Sequence, residues 1–204
     1  FLKKMINIIK SGVGNIGSIS RVMKNLDYNF KIVDNPDDFT DTKKIILPGV
    51  GSFDSFIKSL HEKKLFYKIK ELVKENNYSI LGICVGMQSL MLESEEGKER
   101  GFGFFNYKCK IFDSKINKVP HIGWNLINIK KKEKIFHEVE NNYFYFAHSY
   151  YIENTNNDLT ISTTKYILNF SSSMSFKNIY GVQFHPEKSF DQGEKVIQNF
   201  IEKC

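Results

Sequence analysis

Apolar residues recur along the first half of the chain in two alternating rhythms. Met5-Ile6-Asn7-Ile8-Ile9, Phe30-Lys31-Ile32-Val33, Lys44-Ile45-Ile46-Leu47 and Ser79-Ile80-Leu81-Gly82-Ile83 are short, dense, largely β-branched runs, the pattern of buried strands. Between them the apolar spacing lengthens to three and four. A helix is expected over residues 18–26, after Gly12, Gly14 and Gly17, and another where Phe53, Phe56, Ile57 and Leu60 follow Pro48-Gly49-Val50-Gly51-Ser52. Residues 66–75 and 86–92 read as two more. Strand, crossover helix, strand predicts a parallel sheet with helices on both faces.

The second half changes character. From Tyr107 onward short β-rich pieces follow one another, over residues 122–129, 143–146, 150–153, 159–164, 167–173, 174–176 and 180–184, before a closing helix over 193–203. The expected fold class is α/β, a mostly parallel open sheet flanked by helices with an antiparallel β addition. No internal repeat, low-complexity tract or long linker breaks residues 1–204, which predicts a single domain.

In open parallel sheets, ligands gather beyond the carboxyl ends of the strands. Three features end strands in this reading: Pro48-Gly49-Val50-Gly51 after Leu47, Cys84 after Ile83, and His185-Pro186-Glu187 after Phe184. They are expected to share one edge.

Composition narrows the function classes. No run approaches the ~18 apolar residues a membrane span needs, and Phe1-Leu2-Lys3-Lys4 leads into a strand pattern rather than a signal-peptide core. A cytoplasmic protein that meets no membrane is expected. The net charge is +6, yet only Arg21 and Arg100 among the 29 basic residues are arginine, and the lysines are spread over every segment. That is a poor match to a nucleic-acid reader, which concentrates its charge and uses arginine forks. Cys84, Cys109 and Cys204 are odd in number and far apart, against both a disulfide framework and a zinc site.

Cys84 is the conspicuous one. Gly82-Ile83-Cys84-Val85-Gly86 has the spacing of a nucleophile elbow, with glycines where a sharp strand-to-helix turn crowds the backbone. A thiol there sits at a helix start, whose unpaired N–H groups favour thiolate. Two readings stand: an inert small hydrophobe at a strand end, and an activated nucleophile. A nucleophile needs a base. Of the five histidines, His61 and His137 lie in polar surroundings expected at the surface, whereas His185 follows the apolar run Gly181-Val182-Gln183-Phe184 and precedes Pro186 and Glu187. In an extended segment residues i and i+2 point the same way, so Glu187 is expected to hold one ring nitrogen of His185 while the other faces the thiol.

These residues also carry a family likeness. Gly82-Ile83-Cys84-Val85-Gly86-Met87-Gln88, Pro48-Gly49-Val50-Gly51-Ser52-Phe53, Pro120-His121-Ile122-Gly123-Trp124-Asn125, His148-Ser149-Tyr150-Tyr151 and Gly181-Val182-Gln183-Phe184-His185-Pro186-Glu187-Lys188-Ser189 together resemble the class I (triad) glutamine amidotransferases, whose core is flavodoxin-like. More narrowly they resemble the HisH-type glutaminase subunits of imidazole glycerol phosphate synthase. The likeness runs in order over nearly the whole chain.

The resemblance implies that Cys84, His185 and Glu187 form a catalytic triad hydrolysing L-glutamine to glutamate and ammonia, with no cofactor and no metal. It implies oxyanion donors at Val50, Gly51 and Val85, substrate contacts at Gln88, Glu96, Ser149 and Tyr150, and an interface or tunnel mouth at Asn15, Trp124, Tyr150 and Lys188. The implied partner is a HisF-like (β/α)8-barrel cyclase subunit that receives the ammonia for histidine biosynthesis, since the chain carries no second catalytic-looking cluster. One loop departs from the pattern. The family commonly has D-Y-G-x-G-N where this chain has Lys10-Ser11-Gly12-Val13-Gly14-Asn15. Two alternatives accompany the reading: a paralogous subunit supplying ammonia for surface-glycan amino sugars, and an inactive glutaminase-like regulatory partner.

Overall fold

A computed structural model describes residues 5–12, 15–153 and 158–204. Residues 1–4 and the loop positions Val13 and Gly14 therefore lie outside the described residues. The first half is built as its apolar rhythm requires. Strands β1 (Met5–Ile9), β2 (Asn29–Val33), β3 (Lys44–Gly49) and β4 (Ser79–Cys84) alternate with helices α1 (Ile16–Asn25), α2 (Phe53–Glu62) and α3 (Leu65–Lys74). After a short α4 (Val85–Ser89) come β5 (Met91–Ser94), β6 (Phe105–Ile111), β7 (His121–Leu126), β8 (Asn128–Ile129), β9 (Tyr143–His148), β10 (Tyr150–Ile152), β11 (Thr160–Lys165), β12 (Asn169–Phe176) and β13 (Ile179–Val182). The chain closes with α5 (Phe190–Lys203).

The main sheet has eight strands in the order β2-β1-β3-β4-β13-β12-β11-β8. From β2 to β13 every pairing is parallel, and from β13 to β8 every pairing is antiparallel. The order β2-β1-β3-β4-β13 is the flavodoxin-like arrangement. Two small sheets, β10-β6-β5 and the hairpin β7-β9, complete the β content of the described residues.

Central strands are buried on both faces, which is why Ile45, Ile46, Leu47, Ile80 and Leu81 read as a continuous apolar run rather than an alternating one. The helices instead bury one stripe. In α2, Phe53, Phe56, Ile57 and Leu60 are buried while Ser52 caps the first turn by accepting from the Ser55 N–H at 3.4 Å. Each such side chain contributes roughly 1.5–3 kcal/mol by leaving water, before ordering costs. The edge strand β2 exposes Asn29, Lys31 and Ile32, and its lysine blunts further strand addition.

Three expectations need correction. The piece 122–129 is two strands, His121–Leu126 in the hairpin and Asn128–Ile129 at the edge of the main sheet. The helix expected over 86–92 stops after Ser89, because Met91–Ser94 leaves to pair in parallel with Phe105–Ile111, a strand the sequence reading did not separate out. The pieces 167–173 and 174–176 are largely one strand, Asn169–Phe176.

Candidate active site

The carboxyl ends of β3, β4 and β13 meet. Gly49 lies opposite Cys84 across one pairing, and Val182 lies opposite Ile83 across the other. All three strand-end features thus fall on one edge, as their positions predicted. Cys84 sits on the turn itself with φ 54° and ψ −112°, a strained backbone for a residue with a side chain. The flanking glycines are there for space. A Cβ at Gly82 would come within 2.6 Å of the Gly86 carbonyl oxygen, and one at Gly86 within 1.9 Å of the Leu47 carbonyl oxygen.

His185 reaches the same edge from β13. Its N–H donates to the Tyr145 carbonyl at 2.8 Å, and its carbonyl accepts from Ser189 Oγ at 2.6 Å, so the backbone is fixed at both ends. The segment Pro186–Lys188 is a 3₁₀ turn, not the extended run expected from the i, i+2 spacing. Pro186 suits its first position by φ and by lacking an N–H. The turn still delivers the carboxylate: Glu187 Oε1 lies 2.8 Å from His185 Nδ1. Both side chains are almost wholly enclosed. Glu187 Oε2 is buried without a partner among the described residues. Burial alone would lower the His185 pKa, but the Cys84 sulfur and the Glu187 carboxylate reverse this and hold it well above its ordinary value.

A cavity of about 300 Å³ opens over this edge. Cys84, Val85, Val50, Gly51, Gln88, Glu96, Ser149, Tyr150, His185 and Lys188 all line it, so ten positions singled out in the sequence converge on one space. Glu187 stands behind His185. Glu96 reaches across from the loop after β5 and accepts from the Phe53 N–H at 2.8 Å, with its other oxygen unpaired among the described residues. Burial raises its pKa, with Phe53 opposing. Gln88 donates to the Tyr150 carbonyl at 3.1 Å and to Gln183 Oε1 at 3.0 Å.

The remaining positions separate. Lys188 places its Nζ 5.4 Å above the Tyr145 ring at the cavity wall. Trp124 is 45% exposed and stacks on the exposed Phe190, with ring centroids 5.2 Å apart, rather than filling the core. Asn15 does not line the cavity; it caps α1 by accepting from the Ser18 N–H at 3.2 Å.

Three buried polar residues were not assigned from sequence. His148 Nδ1 donates to the Tyr150 carbonyl at 2.7 Å, leaving Nε2 to accept from His121 Nδ1 at 3.0 Å. His121 Nε2 then accepts from Asn125 Nδ2 at 3.1 Å. One proton per ring satisfies this chain, and burial lowers the pKa of His121 to about 4 and of His148 to about 3. Gln183, fully buried, places its Nε2 3.7 Å from Cys84 Sγ. Gln183's local signal was its place in an apolar strand run two residues before His185, which says nothing of its partner across the sheet.

An enclosed thiol on a strained turn, a carboxylate-braced imidazole and a polar cavity suit acyl transfer from a small polar carbonyl compound. Comparison with known proteins gives the same class. The family model "Glutamine amidotransferase class-I" matches residues 7–204. Imidazole glycerol phosphate synthase subunit HisH 2 of Methanococcus maripaludis is 42% identical over 202 residues, covering 98% of this chain and 100% of that protein. The HisH subunit of Leptospira borgpetersenii is 39% identical over 201 residues, covering 96% of this chain and 98% of that one. Among solved structures, PurLQS from Thermotoga maritima superposes with a TM-score of 0.76 at 18% identity, covering 98% of each chain, which bears on the fold alone.

Proposed function

The chain belongs to the class I glutamine amidotransferases, and on that premise we propose that it is the glutaminase subunit of an imidazole glycerol phosphate synthase, acting in histidine biosynthesis. The observation that carries the chemistry is the meeting of Cys84, His185 and Glu187 at the ends of adjacent strands. The names carried by full-length relatives support the pathway over amino-sugar synthesis, and the intact triad speaks against an inactive regulatory partner. Residues 1–204 act as one glutamine amidotransferase type 1 domain, a reading supported by a single continuous apolar core.

In the proposed reaction Cys84 Sγ attacks the side-chain amide carbon of L-glutamine, forming a C–S bond as the carbonyl becomes an oxyanion. The Val85 N–H and the Val50–Gly51 loop amides are the donors for that charge. His185 gives its proton to the departing nitrogen as the C–N bond breaks, releasing ammonia and leaving a glutamyl thioester. His185 then takes a proton from water, which attacks the thioester; the C–S bond breaks and glutamate leaves. Glu187 fixes the tautomer by accepting from Nδ1, which turns Nε2 towards the sulfur. Glu96 and Gln88, with Ser149 and Tyr150, position the substrate's polar end. Glu96 supports this by lining the cavity with one oxygen held by the Phe53 N–H and the other without a partner among the described residues.

Ammonia released into water near neutral pH is protonated and loses its nucleophilicity, so the product has to pass directly to an acceptor. A HisF-like (β/α)8-barrel cyclase is the proposed partner, docking near Trp124, Lys188, Tyr150 and Asn15. The test is glutamine consumption by the complex in the presence of the cyclase's nucleotide substrate. Glutamine turnover coupled to product is expected; a complex that forms product from ammonium but never from glutamine would refute the reading. No described helix is long and apolar enough to cross a membrane.

A further inference from the structure

Gln183 stands one residue beyond β13 and its side chain is wholly enclosed. Its backbone is tied to the sheet through an N–H donated to the Ser172 carbonyl at 2.9 Å. The orientation of its side-chain amide is forced by its neighbours. The Tyr150 carbonyl can only accept, so the Gln88 atom 3.1 Å from it is the amide nitrogen. That same nitrogen lies 3.0 Å from the end of Gln183, which must therefore present its oxygen there. What remains to face Cys84 Sγ, at 3.7 Å, is the Gln183 Nε2–H.

We propose that Gln183 is a further catalytic residue of this centre, its buried amide donating to the Cys84 sulfur and holding the thiolate through both attack and departure. The proposal rests on Cys84 being the nucleophile. His185 is also against the sulfur, but it gains and loses a proton in each cycle. Other titratable or charged groups facing the site are Glu187 behind His185, His148 from β9, Tyr150 from β10, and Glu96 and Lys188 at the cavity wall. A side-chain amide does not titrate at all. It stabilises the sulfur when the C–S bond forms from thiolate and again when the thioester collapses and the electron pair returns to sulfur. Gln88, by clamping the far side of the amide, keeps its N–H on the sulfur.

The test uses the full chain, alkylated with iodoacetamide from about pH 5 to about pH 10, with the Cys84 peptide quantified by mass spectrometry and thermal unfolding followed in parallel. Wild type is compared with Gln183→Met, which removes the donor, and Gln183→Glu, which keeps the shape but presents a carboxylate. The midpoint of Cys84 reactivity in wild type is the reference, and Cys84 is expected to alkylate ahead of Cys204 near neutral pH. Loss of one hydrogen bond to a charged group moves that midpoint up by about one unit in Gln183→Met, with the rate near pH 7 falling about tenfold. Gln183→Glu moves it further. A merely structural role would lower the thermal midpoint and leave the titration in place, and an unmoved titration in either folded variant overturns the proposal. Should Gln183→Met fail to fold, the isosteric Gln183→Glu decides. A wild-type Cys84 that alkylates no faster than Cys204 would instead overturn the nucleophile assignment, a distinct failure.

Discussion

The strand-end edge of β3, β4 and β13 and the hairpin β7-β9 face the same cavity but are built on opposite rules. At the edge, apolar strands buried on both faces end in glycines and one strained cysteine, and the geometry leaves almost no freedom. The hairpin is turned inside out. His121 and His148 point inward, paired across the strands, while Ile122, Trp124 and Leu126 are 45–62% exposed on the outer face. The first region brings a thiol and an imidazole together at adjacent strand ends; the second carries an apolar face that water does not favour and a polar seam that disfavours an extra proton. Substitutions should therefore fail differently in the two places.

The largest effect belongs to the edge. Cys84→Ala is expected to lower glutamine-dependent product formation by about 10⁴-fold or more, while added ammonium still supports product in the complex. Unchanged glutamine use would remove the nucleophile from the account. Next is Gly86→Ala, whose Cβ would sit 1.9 Å from the Leu47 carbonyl oxygen. Because the obstacle is backbone, a loss of at least about 3 kcal/mol is expected in chemical denaturation, and a variant within about 1 kcal/mol of wild type would show the elbow to be looser than it looks.

The hairpin predicts milder and differently shaped changes. His121 and His148 take up a proton near pH 6.5 when unfolded but only near 4 and 3 when folded. Stability is therefore complete above about pH 6.5 and falls as pH drops towards 4, with each buried ring costing roughly 1.4 kcal/mol per pH unit at most. His121→Gln, which keeps a donor and an acceptor, should flatten the acid slope of the thermal midpoint; an unaltered slope would place the sensitivity elsewhere. Smallest is Trp124→Ala. Its ring stacks on the exposed Phe190 and supports little of the core, so the isolated chain should unfold within about 0.5 kcal/mol of wild type. Affinity for the proposed cyclase partner should fall about tenfold by calorimetry, and an unchanged affinity would move the proposed interface off this face.

How much of this could be read in the sequence follows the same division. The parallel strands and their helices were legible because both faces of β3 and β4 are buried and α2 keeps one apolar stripe, so period alone reveals them. Cys84 between two glycines announced its turn. Non-local pairing hid the rest. Leu90, Met91 and Leu92 continue an apolar helical pattern, and only pairing with Phe105–Ile111 draws Met91–Ser94 into a strand. The His185–Glu187 contact was foreseen, but through an extended segment instead of the 3₁₀ turn that Pro186 starts. Gln183, His121 and His148 were silent because their roles depend on partners 99 and 27 positions away. Asn15, which the likeness places at the interface, caps α1 among the described residues.

The most direct measurement of the central claim is a competition between thiols. Cys84 is only 3% exposed and Cys109 is fully buried, while Cys204 is half-buried and more open to solvent than either. Burial also raises the pKa of Cys109 and Cys204. A glutamine-derived electrophile at neutral pH, followed by peptide-level mass spectrometry, should label Cys84 first in spite of its lower exposure. Labelling that follows accessibility, with Cys204 ahead, would contradict an activated sulfur at the end of β4.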